Sequence, residues 1–402
     1  MPLTSGLRAL VYDDFNKAKL LDDLTDAVSS LDFSTALHGG FDGCNLLVAT
    51  TLDRAWLYLD RELPGRHYAH LLIAEDKRTV WEGRMLDITL RATQRFVGLK
   101  IYATGYWSAC RDRYYDADDA GNTDWTASGP HVVSKVIKEL LTASCPDINS
   151  DQSNIDANNR DIVGIDLKTR EYPQDIIVDK LAPLSDDDNS VWYFAVWDDR
   201  KAYWKKRVVN QVDAYVWLAD TANLELTQDG KYLRNRIIPF TRTAAGAITE
   251  GTAKNQEDSQ NKYPRRDLLL HMPLSSPTAA QNDARDTAAE ELRKPRQTTA
   301  FTVNGHIYSS AAAVGPTAKG DMPKSGALVE IPKWRLRAGD VVRIQDLIPE
   351  SISTPVLDNL RTFYVIATRY DAVRDILEVQ PDRPGIQLET MLARANLLER
   401  NR

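Results

Sequence analysis

An α+β protein that is mostly β, with a β-barrel or β-sandwich domain on each side of a small α+β domain, is the fold class this sequence predicts. Three observations carry it. Short runs rich in Val, Ile, Tyr, Phe and Trp fill residues 1–112 and return from 208 onward; such residues favour a pleated, half-buried surface. Between them, apolar residues recur at helical spacing near 133–141 and 176–181. The length of 402 residues fits two to four domains, and 43% apolar with 27% charged residues is globular composition.

The first β region reads as follows. Leu7 to Tyr12 alternates as a strand. Val28 to Leu37 is a second strand, ended by the turn signal Gly39-Gly40, and Cys44 to Thr50 is a third. Leu52 to Asp60 reads as a short helix closed by Pro64-Gly65. Tyr68 to Ala74 and Thr79 to Ile88 flank the polar turn Glu75-Asp76-Lys77-Arg78, a hairpin pattern, and Phe96 to Tyr106 follows as a strand.

Residues 116–130 read as a loop. Pro130 opens a helix, because proline is tolerated at a first helical position, with Val133, Val136, Ile137, Leu140 and Leu141 on its apolar face. A second helix starts near Pro173 and carries Ile176, Ile177 and Leu181. Val191 to Trp197 and Lys201 to Lys205 form a hairpin around Asp198-Asp199-Arg200. Residues 113–207 are therefore the small α+β domain.

From 208 the expected strands are Val212 to Leu218, Asn223 to Thr227 and Tyr232 to Thr241, with a turn at Gln228-Asp229-Gly230. Thr249 to Lys262 has little to bury and reads as an exposed loop. A long helix spans 277–294 after Ser275-Ser276, with Asp283, Asp286, Glu290 and Glu291 mostly ahead of Arg293 and Lys294, as the helix dipole prefers. Thr298 to Val303 is a strand, 309–327 an Ala/Gly/Pro segment, and Gly339 to Ile344 a strand. Thr362 to Tyr370 pairs with Ile376 to Gln380, and Pro381 and Pro384 end the sheet. The second β domain is thus 208–386. Residues 387–402 add a helix with Leu388, Met391, Leu392, Ala395 and Leu398 on one face.

Several chemistries find no support. The net charge of −7 disfavours a dedicated nucleic-acid binder. No run approaches the length of a membrane span, and the first residues lack the pattern of a secretory signal. Cys44, Cys110 and Cys145 are odd in number and widely spaced, which reads as three buried thiols in a reducing compartment rather than a disulfide framework or a zinc site. No phosphate-binding glycine loop, nucleophile elbow or HExxH motif occurs.

Four groups of residues are candidates for a site. His67 and His70 would point to opposite faces of a strand. Asp116, Asp118, Asp119, Asn122 and Asp124 suggest a calcium loop, but Ala120 and Ala127 stand where the fifth and twelfth positions need oxygen ligands; Asp186-Asp187-Asp188-Asn189 reads as a turn. Glu82 with Asp87, or Glu290 with Glu291, could be offered as a glycosidase pair, although such pairs are judged by spatial separation. Trp192, Tyr193, Phe194, Trp197 and Trp204 read as a sheet core ahead of a sugar-stacking platform. No catalytic, cofactor-binding or metal-binding residue is assigned, and no cofactor is expected.

The order of these regions, and several stretches within them, carry a resemblance. They are Phe33 to Phe41, Val80-Trp81-Glu82-Gly83-Arg84, Ala103 to Trp107, Asp258 to Arg266, Leu336 to Ile344 and the hairpin Arg361 to Pro384. Together the chain resembles the tail-tube-like hub proteins of phage tail tips and baseplates. In the fourth stretch, Asp258 to Arg266, Pro264 stands where that pattern has glycine, a departure that bears on the local turn. The resemblance implies that 1–112 and 208–386 are tail-tube-like β domains and that 113–207 is peripheral. It further implies a homotrimer whose six β domains make a pseudo-sixfold ring continuing the tail tube, since closed symmetry satisfies every interface and stops growth. Its implied neighbours are a distal tail or tail tube protein, the tape measure protein and spike or fibre proteins. DNA would pass through without specific binding. The protein would be a virion component at the tail tip, made in the host cytoplasm. Two other readings remain open: a receptor- or carbohydrate-binding tail module, and a peptidoglycan hydrolase. A scaffold unrelated to phage is a third.

Overall fold

The computed structural model describes residues 6–59, 68–93, 96–116, 122–123, 130–157, 161–163, 170–182, 192–206, 211–224, 227–229, 233–242, 247–272, 296–298, 301–310, 328–347 and 361–381, together with 282, 285, 286 and 289. The chain is mostly β. Strands β1 (Leu7–Tyr12), β2 (Leu20–Asp23), β3 (Val28–Ala36) and β4 (Gly39–Ala49) precede helix α1 (Leu52–Leu59). Strands β5 (His70–Glu75), β6 (Arg78–Thr93) and β7 (Phe96–Thr104) follow it. Hydrogen-bonded neighbours run β2-β1-β5-β6-β7-β4-β3, all antiparallel. The inward residues of these strands, including Ala9, Val11, Leu46, Val48, Leu71, Ile73, Trp81 and Ile101, are buried, as a strand period of two requires.

The ladder does not end at β3. Strand Thr362–Asp371 pairs with β3 in antiparallel register, Ala367 opposite Ala36 through Asp371 opposite Asp32. Beyond it come Ile376–Pro381, Phe301–Val303 and Thr221–Ala222. The near end of Thr362–Asp371 also pairs with Val341–Gln345, which lies parallel to Ala214–Trp217. Among the described strands this path branches and does not close into a barrel. One hydrophobic core serves both ends of the chain. It contains Leu7, Phe33 and Trp81 beside Val216, Phe301, Val342, Phe363 and Val379.

A second core belongs to the middle of the chain. Helix α2 (Val133–Ser144) buries Val136, Ile137 and Leu140 with Ile176, Ile177 and Leu181, against Phe194 and Trp204 of the hairpin Trp192–Trp197 and Lys201–Lys206. The helix starts three residues after Pro130, because Pro130–Val132 pairs with Asp161–Val163 instead. Proline is tolerated at the first residue of such an edge strand. The helix expected near Pro173 opens there and continues as a widened π-turn over Ile176–Leu181.

Other expectations shift. Gly39 and Gly40 open β4 rather than forming the turn, which falls at Leu37 and His38. Gln228 and Asp229 lie in a short strand, Thr227–Asp229, paired with Arg296–Thr298. Thr249 to Lys262 is not a plain loop. Ile248–Glu250 and Lys254–Asn255 pair with Arg236–Arg242, and Glu257–Gln260 is a helical turn. The polar composition speaks for the side chains, which are exposed on those two strands, whereas their backbone ladder partners come from elsewhere in the chain. Strand Asp267–Met272, parallel to Arg236–Arg242, was not expected. Within 277–294, Asn282, Arg285, Asp286 and Ala289 are helical; the rest of that span, 311–327 and 387–402 lie outside the described residues. Among the described residues no helix is long and apolar enough to cross a membrane.

Candidate functional site

The three parts of the chain meet in a joint built on β4, β6 and the turn between Trp197 and Lys201. Its first element is backbone. Gly39 and Gly40 pair in parallel with Ala195 and Val196 of the hairpin strand. Gly40 has a φ of +83°, and a Cβ added there would lie 2.2 Å from the Val196 carbonyl oxygen. Only glycine allows this approach.

The second element is a buried carboxylate. Glu82 on β6 is 1% exposed. Its Oε1 accepts the Arg200 backbone N–H at 2.8 Å, and its Oε2 pairs with the Lys17 ammonium at 3.1 Å. His70 on β5 lies 3.7 Å from the same oxygen through Nε2, and its Nδ1 is 2.7 Å from the Tyr106 hydroxyl. The tyrosine O–H donating to Nδ1 would leave the proton on Nε2, facing Glu82. Burial pushes His70 down to about 3, helped by the charges of Lys17 and Arg200, so the ring is neutral. Burial pushes Glu82 up, opposed by Lys17 and the Arg200 N–H. The Tyr106 hydroxyl is pushed up by burial as well, then by Glu82.

Beside this cluster, Arg84 presents its guanidinium to the Asp112 carboxylate in a two-point contact, with Nη2 to Oδ1 at 2.9 Å. Its Nε donates to the Ser108 hydroxyl at 3.2 Å, and Asp147 approaches at 3.8 Å. The Arg200 guanidinium lies 3.9 Å over the Phe15 ring and donates to the Asp147 carbonyl. An open cavity of about 370 Å³ is lined by Asp14, Phe15, Tyr68, Arg84, Tyr106 and Asp147 among others.

The third element brings in the C-terminal strands. Arg337 lies over the rings of Phe41 (4.9 Å) and Trp197 (5.4 Å) and meets both Asp198 oxygens at 3.3 Å. It donates to the Thr79 carbonyl as well. Asp340 accepts the Arg337 N–H and Asp213 accepts the Val341 N–H, each at 2.8 Å. Burial, then the charge of Asp213, pushes Asp340 up to about 7. These groups face an open cleft of about 650 Å³ between the three parts.

His70 is in the joint; His67 lies outside the described residues. Glu82 is buried whereas Asp87, on the same strand, is exposed, so the two do not face one cleft. Glu290 and Glu291 lie outside the described residues, as do Asp118, Asp119, Asp124 and 186–189. Asp116 is paired with Arg170 at 2.9 Å, and Asn122 donates to its carbonyl. Among the described residues no group of three or more His, Cys, Asp or Glu is placed to hold a metal. Trp192, Phe194, Trp197 and Trp204 are buried; Trp192 and Trp204 stack at 5.5 Å. They are core and offer no sugar platform. The three cysteines are buried and free. Lys17, Arg84, Arg200 and Arg337 were not singled out, although Arg84 and Arg337 lie in stretches that carried the resemblance.

No protein-family model and no curated protein matches the sequence. Solved structures match over nearly all of it. The 43 kDa tail protein of prophage MuSo2 from Shewanella oneidensis has a TM-score of 0.58 at 10% identity, over 94% of this chain and 98% of its own. A tail protein from Neisseria meningitidis MC58 gives 0.56 at 10% identity, over 96% and 99%. The prophage tail protein gp18 from Listeria monocytogenes EGD-e gives 0.53 at 15% identity, over 97% and 99%. At these identities the likeness is one of fold, and the fold is that of phage tail proteins.

Proposed function

We propose that this chain is a non-enzymatic structural hub of a phage tail tip or baseplate. In this reading it is a virion component, made in the host cytoplasm. Three copies form a pseudo-sixfold ring that continues the tail tube channel and joins it to spike or fibre proteins. Residues 1–112 and 208–386 are the two tube-like units of each copy, and 113–207 stands at the periphery. The distal tail or tube protein and the tape measure protein are its other neighbours.

One observation carries the reading. The C-terminal strand Thr362–Asp371 is hydrogen-bonded to β3, and both ends of the chain share one core. Two β units fixed on a single ladder have a set relative orientation, which a part that transmits force along a tube needs. The tail-protein fold over 94–97% of the chain supports it. Glu82, Arg84 and Arg337 are each met by an opposite charge in the joint, the arrangement of a structural clasp, and the aromatic run is core. A net charge of −7 per copy favours a channel through which DNA slides without being held.

The mass of the purified protein in solution tests the ring, by native mass spectrometry or light scattering, alone and with tail tube protein added. A trimer is expected in one of the two conditions. A chain that stays monomeric in both removes the ring.

A further inference from the structure

We propose that Cys110 and Cys145 form a latent disulfide site, which closes into a covalent brace of the joint when the protein meets a small-molecule disulfide such as oxidised glutathione. The two cysteines are 35 residues apart, yet the Cys145 thiol donates to the Cys110 sulfur at 3.4 Å. Cys110 sits in the helical turn Tyr106–Arg111, and Cys145 is the residue that ends α2, its N–H bonded to the Leu141 carbonyl. Both are buried in the core of the middle part. The third cysteine, Cys44, is in the other core, on β4. A disulfide holds its sulfurs at about 2.05 Å. Closing the gap therefore asks each sulfur to move by less than about 1 Å, a side-chain adjustment.

The position of the pair gives the bond a consequence. Two residues past Cys110 is Asp112, and two residues past Cys145 is Asp147; these are the carboxylates on either side of Arg84. Asp147 also accepts from Arg200 through its carbonyl. A Cys110–Cys145 bond would tie together, at the backbone, the two segments that grip β6. The brace would thus stiffen the seat of the middle part on the first sheet.

The chemistry balances. One cysteine thiolate attacks the small disulfide, forms a mixed disulfide and expels one reduced thiol. The second cysteine thiolate attacks the protein sulfur of that mixed disulfide, forms Cys110–Cys145 and expels the other. The protein loses two hydrogens and the small disulfide is reduced to two thiols. Burial raises the Cys110 thiol well above its ordinary value, so thiolate is scarce while the core is closed. Closure then waits on opening of the end of α2, which keeps the pair reduced in a reducing compartment and makes the bond slow to form outside it.

The full chain is held in oxidised glutathione at mildly alkaline pH, for longer than the Cys145 amide takes to exchange its hydrogen. It is then weighed, denatured with an alkylating reagent and digested. Expected are a mass lower by two hydrogens before alkylation, one alkylated cysteine at Cys44, and a peptide joining Cys110 to Cys145. Dithiothreitol reverses the change. The oxidised form melts several degrees above the reduced form, because the closed loop restricts the unfolded chain, and Cys145→Ala shows no such oxidant-dependent shift. Three alkylated cysteines, or glutathione left attached to Cys110 or Cys145, overturn the proposal.

Discussion

Glu82 and Arg337 fasten neighbouring parts of the molecule to the same sheet, and they do it in opposite ways. Glu82 is enclosed. Its charge is met by Lys17 and by the Arg200 N–H, and His70 stands beside it without a proton to spare. Arg337 is at the rim of an open cleft. Its side chain is 20% exposed and that of its partner Asp198 47%, and it rests on two aromatic faces. A buried ion pair gives little net stability but is costly to break, because the surviving charge has no water to return to. A rim pair is cheap to lose. The difference shows where each part derives its hold. The middle part has only a two-residue ladder to β4 and depends further on side chains meeting in one arrangement, whereas the C-terminal strands are held by a five-residue ladder to β3.

The largest expected effect removes the contact on which the middle part rests. Gly40→Val places a branched side chain at a φ of +83°, with its Cβ 2.2 Å from a backbone oxygen that cannot give way. Strain and overpacking together should cost about 4 kcal/mol, or prevent folding. Urea denaturation measures it. A variant within about 1 kcal/mol of the parent would show that the hairpin is not seated on β4.

The comparison itself is tested by two truncations. Glu82→Ala should cost about 3 kcal/mol, since it leaves the Arg200 N–H without its acceptor and takes from Lys17 its buried partner, leaving it Asp199 at 3.8 Å. Adding Lys17→Met should restore much of that, because both charges then leave together. Arg337→Ala should cost only about 1 kcal/mol, the worth of a rim ion pair with some ring contact. Equal losses, or a larger one at Arg337, would break the distinction drawn between the joints.

The first β region was legible because each strand carries its own alternation. Leu7–Tyr12, Val28–Ala36 and the 70–88 hairpin were all readable locally, and so were the apolar face of α2 and the aromatic hairpin. Strands between 208 and 310 were less so. They are two to seven residues long and owe their state to distant partners, as Thr227–Asp229 owes its to Arg296–Thr298. The joint was visible only in pieces. The sequence offers Glu82 a near neighbour in Asp87, while its real partners stand 65 positions before it and 118 after. Yet the stretches that carried the resemblance contain Gly40, Phe41, Glu82, Arg84, Tyr106, Arg337 and Asp340. Those residues meet one another across the joint, and their order in the chain does not reveal the fit.

The smallest expected effect sharpens the contrast through pH. Asp340 sits at about 7 in the folded protein, against about 3.9 for an ordinary aspartate. Between those values the folded state holds a proton that the unfolded chain has lost, so this group makes stability fall as pH rises from about 4 to about 7. Its penalty is absent below that window and complete above it. His70 acts with the opposite sign. Its folded value of about 3 lies below its ordinary 6.5, so its contribution grows as pH rises through that interval. The two slopes partly cancel in the parent protein. Asp340→Asn keeps an oxygen for the Arg337 N–H but cannot ionise, which removes the falling slope of this group. Its urea midpoint should match the parent near the acid end and exceed it at mildly alkaline pH. If the variant instead follows the parent at both ends, Asp340 is ionised in the folded state and balanced by Arg337. The rim joint would then also hold a paired buried charge, and the two joints would differ in exposure but not in kind.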